Sequence, residues 1–388
     1  MSGRMMRGVF LALLALVLTA CSPPEIPGQN NQRLSPVSQM VDIDTTGYQR
    51  AIEPREFVFP RDHERHPGFK LEWWYLVGNL SDDDGRRFGF QLTFFRNALT
   101  PEEPQRSSRW ATNALYLAHF ALTDVEGEQF FSFERTSRET PGVAGVETEP
   151  FQVAVDDWRL TSQSETFLPL EVYAQGDRQT PEKAVALELL ITDTKPIVLH
   201  GENGLSRKGP EEGNASYYYS MTRLQTHGKV RLGERQWNVS GTAWLDREWS
   251  TGVLNKDQIG WDWFALQLDD GRELMLYQVR AREGEPSLRG TLVATDSSTQ
   301  DLKAEDFVLE VTEKWTSPEG VTYPGGWRIQ VPLADLELRV KPFIADQELD
   351  VTFSYWEGAV GVSLENGQEN AGPLVGRGYV ELVGYGDG

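Results

Sequence analysis

Cysteine is all but missing from this chain, with Cys21 the single one among 388 residues. The body that follows it can hold no disulfide, no thiol nucleophile and no cysteine-based metal centre. Basic charge is scarce too: 37 Lys and Arg stand against 58 Asp and Glu, giving a formal net charge of −21 with no long basic run. That balance repels nucleic acid and gives no electrostatic grip on an anionic membrane. A glycine-rich phosphate loop, a serine nucleophile elbow and a Walker sequence are all lacking, and no segment shows a convincing helical period. What remains is a chain with 39% hydrophobic and 24% charged residues, long enough for two globular domains and too apolar to be disordered.

The apolar run that does occur lies at the start. Arg4 and Arg7 precede Val9–Leu18, and Thr19-Ala20-Cys21 follows, the charged start, short apolar segment and small residues of an export signal. The run is too short to span roughly 30 Å of hydrocarbon. Leu18-Thr19-Ala20-Cys21 resembles the bacterial lipobox, which implies cleavage before Cys21, acylation of its thiol and membrane attachment through the lipid. Ser22 in place of Asp implies the outer membrane, with the protein facing the periplasm. Residues 21–50, rich in Pro, Gln, Asn and Ser, read as a flexible tether.

The body is written in strands. Trp73–Val77, Phe88–Phe95, Leu115–Thr123, Gln129–Phe133, Phe151–Val155, Leu170–Ala174 and Val185–Thr192 are short aromatic and β-branched runs separated by turn formers. Asn97–Asn113 and Glu139–Pro150 read as inserted loops. After Trp249 eight further candidates follow, which suit a small closed barrel with a ligand-sized interior. The halves echo one another: Trp74-Tyr75 with Asp82–Arg86 against Trp263-Phe264 with Asp269–Arg272, and Gly241–Asp246 against Gly376–Glu381. The expectation is an all-β internal duplication of two antiparallel barrels in tandem, residues 51–249 and 250–388.

The stretch Ser216–Trp249 concentrates the chemistry. Asp246 stands two residues after Trp244, and Tyr217 two before Tyr219, spacings that put each pair on one face of a strand. If the runs pair across a turn at Gly233, the four converge as three aromatic surfaces and one acid. An alternative stands beside this. The apolar parity Val239, Gly241, Ala243, Leu245 turns Trp244 and Asp246 away from an ordinary core, so Asp246 could pair with Arg223 or Arg247 at a domain seam.

Several motifs together resemble one family. Asp62-His63, His66-Pro67, Glu72–Tyr75, Gln91–Arg96, Ala118–Asp124, Leu199-His-Gly201, Trp244–Trp249, Gly260–Phe264 and Tyr355–Gly358 resemble, in order and from about Phe57 to Tyr385, the lipocalin-like family of AttH and the carotenoid 1,2-hydratases. The resemblance implies a pair of calycin-type (lipocalin-like) barrels and no cofactor. Its AttH branch implies a link to an ABC-type export system, and many members are called secreted hydrolases. The hydratase branch implies a His and a Trp two apart on one strand and a Tyr and an Asp two apart further on. Spacing carries these to Tyr217, Tyr219, Trp244 and Asp246, with only the acid kept in kind. Adding water to an isolated C=C bond needs a proton donor, and a carboxyl in an apolar cavity can stay protonated near neutral pH. Aromatic faces can stabilise the cation.

Trp74, Tyr75, His119 and Trp263 are the further candidates for lining a ligand site, His119 alternatively being a hydrogen-bonded core residue. Asp62, His63 and His66 read as a loop cap rather than a metal site. Asp246 with Glu248 would lie side by side, unlike the flanking carboxyls of a glycosidase. The overall expectation is a lipid-anchored protein that binds an elongated apolar or amphipathic molecule or lipid. A C=C hydratase acting on an isoprenoid or lipid and an accessory of an ABC transporter complex are the alternatives.

Overall fold

The computed structural model describes residues 44–103, 111–176, 184–193, 195–252, 254–352, 354–365 and 372–386. The export signal, Cys21 and the tether up to residue 43 lie outside the described residues. The first sheet contains β1 (Leu71–Ser81), β2 (Arg87–Ala98), β3 (Ala114–Asp124), β4 (Gln129–Arg138), β5 (Ala144–Thr148), β6 (Phe151–Val155) and β7 (Trp158–Ser162). It continues with β8 (Leu170–Gly176), β9 (Val185–Asp193), β10 (Val198–Leu199), β11 (Leu205–Arg207), β12 (Ala215–Leu232) and β13 (Arg235–Ser250). The second contains β14 (Gln258–Leu268), β15 (Glu273–Ala281), β16 (Ser287–Val293), β17 (Thr299–Lys303) and β18 (Val308–Thr316). It is completed by β19 (Thr322–Val331), β20 (Leu336–Pro342), β21 (Glu348–Leu349), β22 (Tyr355–Leu364) and β23 (Leu374–Val383). Two 3-10 turns, Arg61–His63 and Pro332–Ala334, are the helical elements named among the described residues.

Both sheets are antiparallel ladders. The first runs β4-β3-β2-β1-β13-β12-β9-β8-β7-β6-β5, with β10 and β11 on β12; the second runs β17-β16-β15-β14-β23-β22-β20-β19-β18, with β21 on β22. The first curls until β6 meets β2, β3 and β4, a near-closed barrel beside the more open second sheet. One expectation is corrected here, and one strand is added. Glu139–Pro150 is not all loop, because Ala144–Thr148 pairs with β6; its small and polar residues hid a strand at the end of the sheet. Thr299–Lys303 is likewise a strand on β16, polar because only Leu302 is buried.

Alternation explains the packing. Trp74, Phe94, Phe120 and Trp158 fill the first barrel, and Phe264, Trp327 and Trp356 fill the hollow of the second sheet. The expected ligand-sized barrel interior is therefore occupied by the protein's own side chains. The opposite faces of β1, β13, β14, β22 and β23 are also apolar and pack on each other through Tyr75, Trp244, Trp263, Tyr355 and Tyr379. A residue with a Cβ at Gly89 would meet Ala359 Cβ at 2.5 Å, so the sheets approach there as closely as a glycine allows. Polar links cross the same seam, including Asn79 Nδ2 to the Gly378 carbonyl at 3.0 Å and Gln267 Nε2 to the Thr222 carbonyl at 2.7 Å. Both sheets fall within one compact unit, Leu34–Gly388.

Candidate active site

The hairpin of β12 and β13 turns at Gly233, whose φ is +58°, and its register decides which side chains meet. Ser220 stands opposite Asp246, Tyr218 opposite Glu248, Tyr219 opposite Arg247 and Tyr217 opposite Trp249. Directly opposed residues share a face. Tyr218 and Ser220 therefore join Trp244, Asp246 and Glu248 on the seam side. Tyr217 and Tyr219 face the other way, packing with Phe57, Phe59 and Trp249 at one end of the barrel. The expected convergence of Tyr217 and Tyr219 with Asp246 is thus corrected by one residue. Three consecutive tyrosines made both parities look alike, and the register shift between Met221 and Leu224 removes the strand period as a guide.

Asp246 is buried and, among the described residues, paired with no arginine. Tyr218 Oη donates to its Oδ2 at 2.6 Å, Trp244 Nε1 to Oδ1 at 2.5 Å, and Ser220 Oγ also to Oδ1. Trp263 Nε1 donates in turn to Tyr218 Oη at 3.1 Å. Burial pushes the carboxyl up to about 7, against the pull of these donors and with help from Glu248. The alternative pairing with Arg223 or Arg247 is not formed. Arg223 binds Glu273 across the seam; Arg247 lies in the first barrel on Glu72 at 3.1 Å and over the Trp74 ring at 3.9 Å. The parity along Val239, Ala243 and Leu245 does hold, since these residues enter the barrel core.

A cavity of about 80 Å³ lies against Asp246, walled by Trp73, Tyr75, Trp261, Trp263 and the carboxyls of Glu248 and Glu381. It shares Trp73, Phe95, Trp261 and Glu381 with an adjoining apolar cleft of about 350 Å³ that also reaches Leu115, Leu117, His119 and Tyr355. Glu381 on β23 is the duplication counterpart of Asp246. Burial pushes it up to about 7 as well, opposed by a 2.9 Å hydrogen bond from Trp261 Nε1 and helped by Glu248 and Asp246. Glu357, opposite Glu381 across β22 and β23, is raised well above its ordinary value by burial and by Glu381. The Tyr75 hydroxyl and both Glu357 oxygens are buried and, among the described residues, have no hydrogen bond of ordinary geometry, although Tyr75 and Glu357 interact with each other.

Of the proposed lining residues, Tyr75 and Trp263 flank the small cavity with ring centroids 5.0 Å apart. His119 lines the larger cleft and is also the hydrogen-bonded core residue of the alternative, with Nδ1 2.8 Å from Tyr355 Oη and Nε2 3.2 Å from Glu134. Trp74 is corrected: it points into the barrel and donates to the His63 carbonyl at 2.9 Å, as its even position on β1 requires. Asp62 and His66 touch, with His66 Nε2 3.4 Å from Asp62 Oδ1, while His63 turns to other partners. Asp62 accepts from the Val58 amide at 2.7 Å, His63 meets Tyr219 Oη at 2.5 Å and His66 meets Glu72 at 3.2 Å.

Four further residues complete the seam. Lys208 is buried and pairs with Glu248 at 3.0 Å; burial opposes its charge, but Glu248 and Tyr277 outweigh burial and raise its pKa. His200 contacts Ser220 Oγ at 2.6 Å and Thr291 Oγ1 at 2.9 Å, and burial with nearby Lys208 lowers its pKa to about 3. Lys208, His200 and Tyr218 come from segments whose meeting no local pattern announces. Glu381 was legible, because the repeat that matches Gly241–Asp246 to Gly376–Glu381 marks the same strand position in both halves.

The sequence matches the AttH-like family over residues 50–385. A crystal structure of an AttH from Nitrosomonas europaea has 30% identity and a TM-score of 0.74, covering 87% of this chain and 99% of that one. Kievitone hydratase from Nectria haematococca has 15% identity and a TM-score of 0.64, covering 87% of this chain and 98% of that one, a likeness of fold. No curated protein matches the sequence.

Proposed function

We propose, from the premise that this chain belongs to the AttH-like family, that it binds an elongated apolar or amphipathic molecule in the cleft between its two sheets and adds water to a C=C bond there. The observation that carries this reading is Asp246, a carboxyl raised to about 7 in the wall of an aromatic cleft. Near neutral pH a substantial fraction of it is protonated, and a carbon–carbon double bond is too weak a base to be protonated by solvent at that pH. Asp246 would deliver its proton to one alkene carbon, leaving a cation on the other. The rings of Tyr75, Trp261 and Trp263 would face that charge. Water would add to the cation and lose a proton to Glu381, whose second oxygen is not taken by Trp261. The fold it shares with kievitone hydratase is compatible with such chemistry. Attachment through an acylated Cys21 would hold the site at a lipid surface from which an apolar substrate could enter.

The test is incubation with isoprenoid alkenes such as farnesol and geranylgeraniol in ¹⁸O-labelled water. The wild type is expected to yield a product one labelled water heavier, and Asp246→Asn to lose this by about 10²–10⁴-fold, the worth of general acid catalysis. Unaltered, tightly retained alkene in both proteins would leave a carrier and remove the hydratase.

A further inference from the structure

In the reaction above each turnover leaves Asp246 ionised, because the proton lost by water goes to Glu381. The replacement proton has a built route. Ser220 Oγ lies between the Asp246 carboxyl and His200 Nε2, which is 2.6 Å away, and His200 Nδ1 is 2.9 Å from Thr291 Oγ1. His200 and Thr291 line another cleft, of about 170 Å³, bordered by Arg207, Arg289 and Lys303; Tyr277 is common to its lining and to that of the substrate cavity. Asp246, Ser220, His200 and Thr291 are all nearly fully buried, so the chain is shielded along its length.

We propose that Ser220 and His200 form a relay that returns a proton to Asp246 from this second, polar cleft. The inference rests on Asp246 being the acid of the proposed reaction. With Asp246 ionised, the Ser220 hydroxyl donates to it, so His200 Nε2–H must be the donor to Ser220 Oγ and Nδ1 the acceptor from Thr291. A proton arriving from solvent is taken by Thr291 Oγ1 as its own passes to Nδ1. The Nε2 proton moves to Ser220 Oγ, and the Ser220 hydroxyl proton moves to Asp246 Oδ1. One proton enters and one carboxylate is neutralised, while Glu381 releases the proton it took from water to solvent through the larger cleft it also lines; the imidazole ends as the Nδ1–H tautomer, which returns to Nε2–H by proton exchange with water of the polar cleft that the ring lines as the Ser220 hydroxyl rotates back. Neutrality is what such a ring needs, and burial holds His200 neutral. Both residues act through Asp246 and are positioning residues.

The experiment is a rapid jump from pH 9 to pH 6 with time-resolved infrared detection of the Asp246 carboxyl, assigned by its absence in Asp246→Asn. It is run on the full chain without substrate. Ser220→Ala breaks the relay at the hydroxyl; His200→Gln keeps a hydrogen-bonding amide that cannot shuttle. The expected result is that both variants reach the wild-type amplitude at least about tenfold more slowly, a delay that a merely structural role would not produce in folded protein with intact amplitude. If one variant fails to fold, the other decides alone. Unchanged rates, or slowing in Ser220→Ala with His200→Gln unaffected, would overturn the relay and leave Asp246 as the acid. No titrating Asp246 band in the wild type would overturn the acid and the relay together.

Discussion

At the scale of single residues the cost of burying a carboxyl sets the chemistry of the cleft. Asp246 is raised from 3.8 to about 7, so the folded state binds its proton more tightly than the unfolded chain does. Its contribution to stability is therefore complete below pH 3.8 and is lost as pH rises through about 7. The loss is up to about 4 kcal/mol, taking 1.36 kcal/mol for each pKa unit. Asn cannot ionise, yet it can accept from Ser220 and Trp244 and donate to Tyr218. Asp246→Asn should therefore match the wild type in thermal melts near pH 4 and exceed it increasingly toward pH 8. An Asn variant that is less stable at both ends would mean that the carboxylate is stabilised by its donors beyond the cost of burial. Glu72 has the opposite sign. Burial opposes its ionisation, but His66, Arg247 and Arg96 hold its pKa down to about 2, so its contribution is present above 4.5 and is lost as pH falls through about 2.

At the scale of elements the β12–β13 hairpin shows what a sequence can and cannot declare. Its two strands, its turn at Gly233 and the inward parity of Val239, Ala243 and Leu245 were legible from alternation and a glycine. The face of each tyrosine was not. Tyr217, Tyr218 and Tyr219 satisfy either parity, and only the cross-strand register, with Ser220 opposite Asp246, selects Tyr218. Trp74 failed for a related reason: adjacent Trp73, Trp74 and Tyr75 face alternate sides, and aromatic character alone does not say which side is the core. This difference is measurable. Tyr218→Phe removes a donor that lowers the Asp246 pKa, so the Asp246 titration midpoint should rise. Tyr219→Phe, which loses contacts to His63 and the Asp62 carbonyl instead, should leave it unmoved. Equal shifts in the two variants would contradict the register.

At the scale of the whole molecule the meeting of the two sheets matters more than either sheet. Each sheet fills its own hollow with side chains, so the cavity and its adjoining cleft arise where the outer faces of the two meet, and Asp246 on β13 and Glu381 on β23 line the cavity together. All-β architecture and the repeat could be read from strand-length aromatic runs. The seam could not, because it depends on Lys208, His200 and Tyr355 arriving from segments far apart in the chain. The most direct test of the resulting account is an infrared titration of the carboxyl stretching bands of the wild type and Asp246→Asn. A protonated carboxyl component that disappears with a midpoint near pH 7 in the wild type and is lost from the Asn variant, in which the band of Glu381 persists, is the predicted result. Identical bands in the two proteins above pH 5 would show Asp246 already ionised there and would contradict a protonated acid in the cleft.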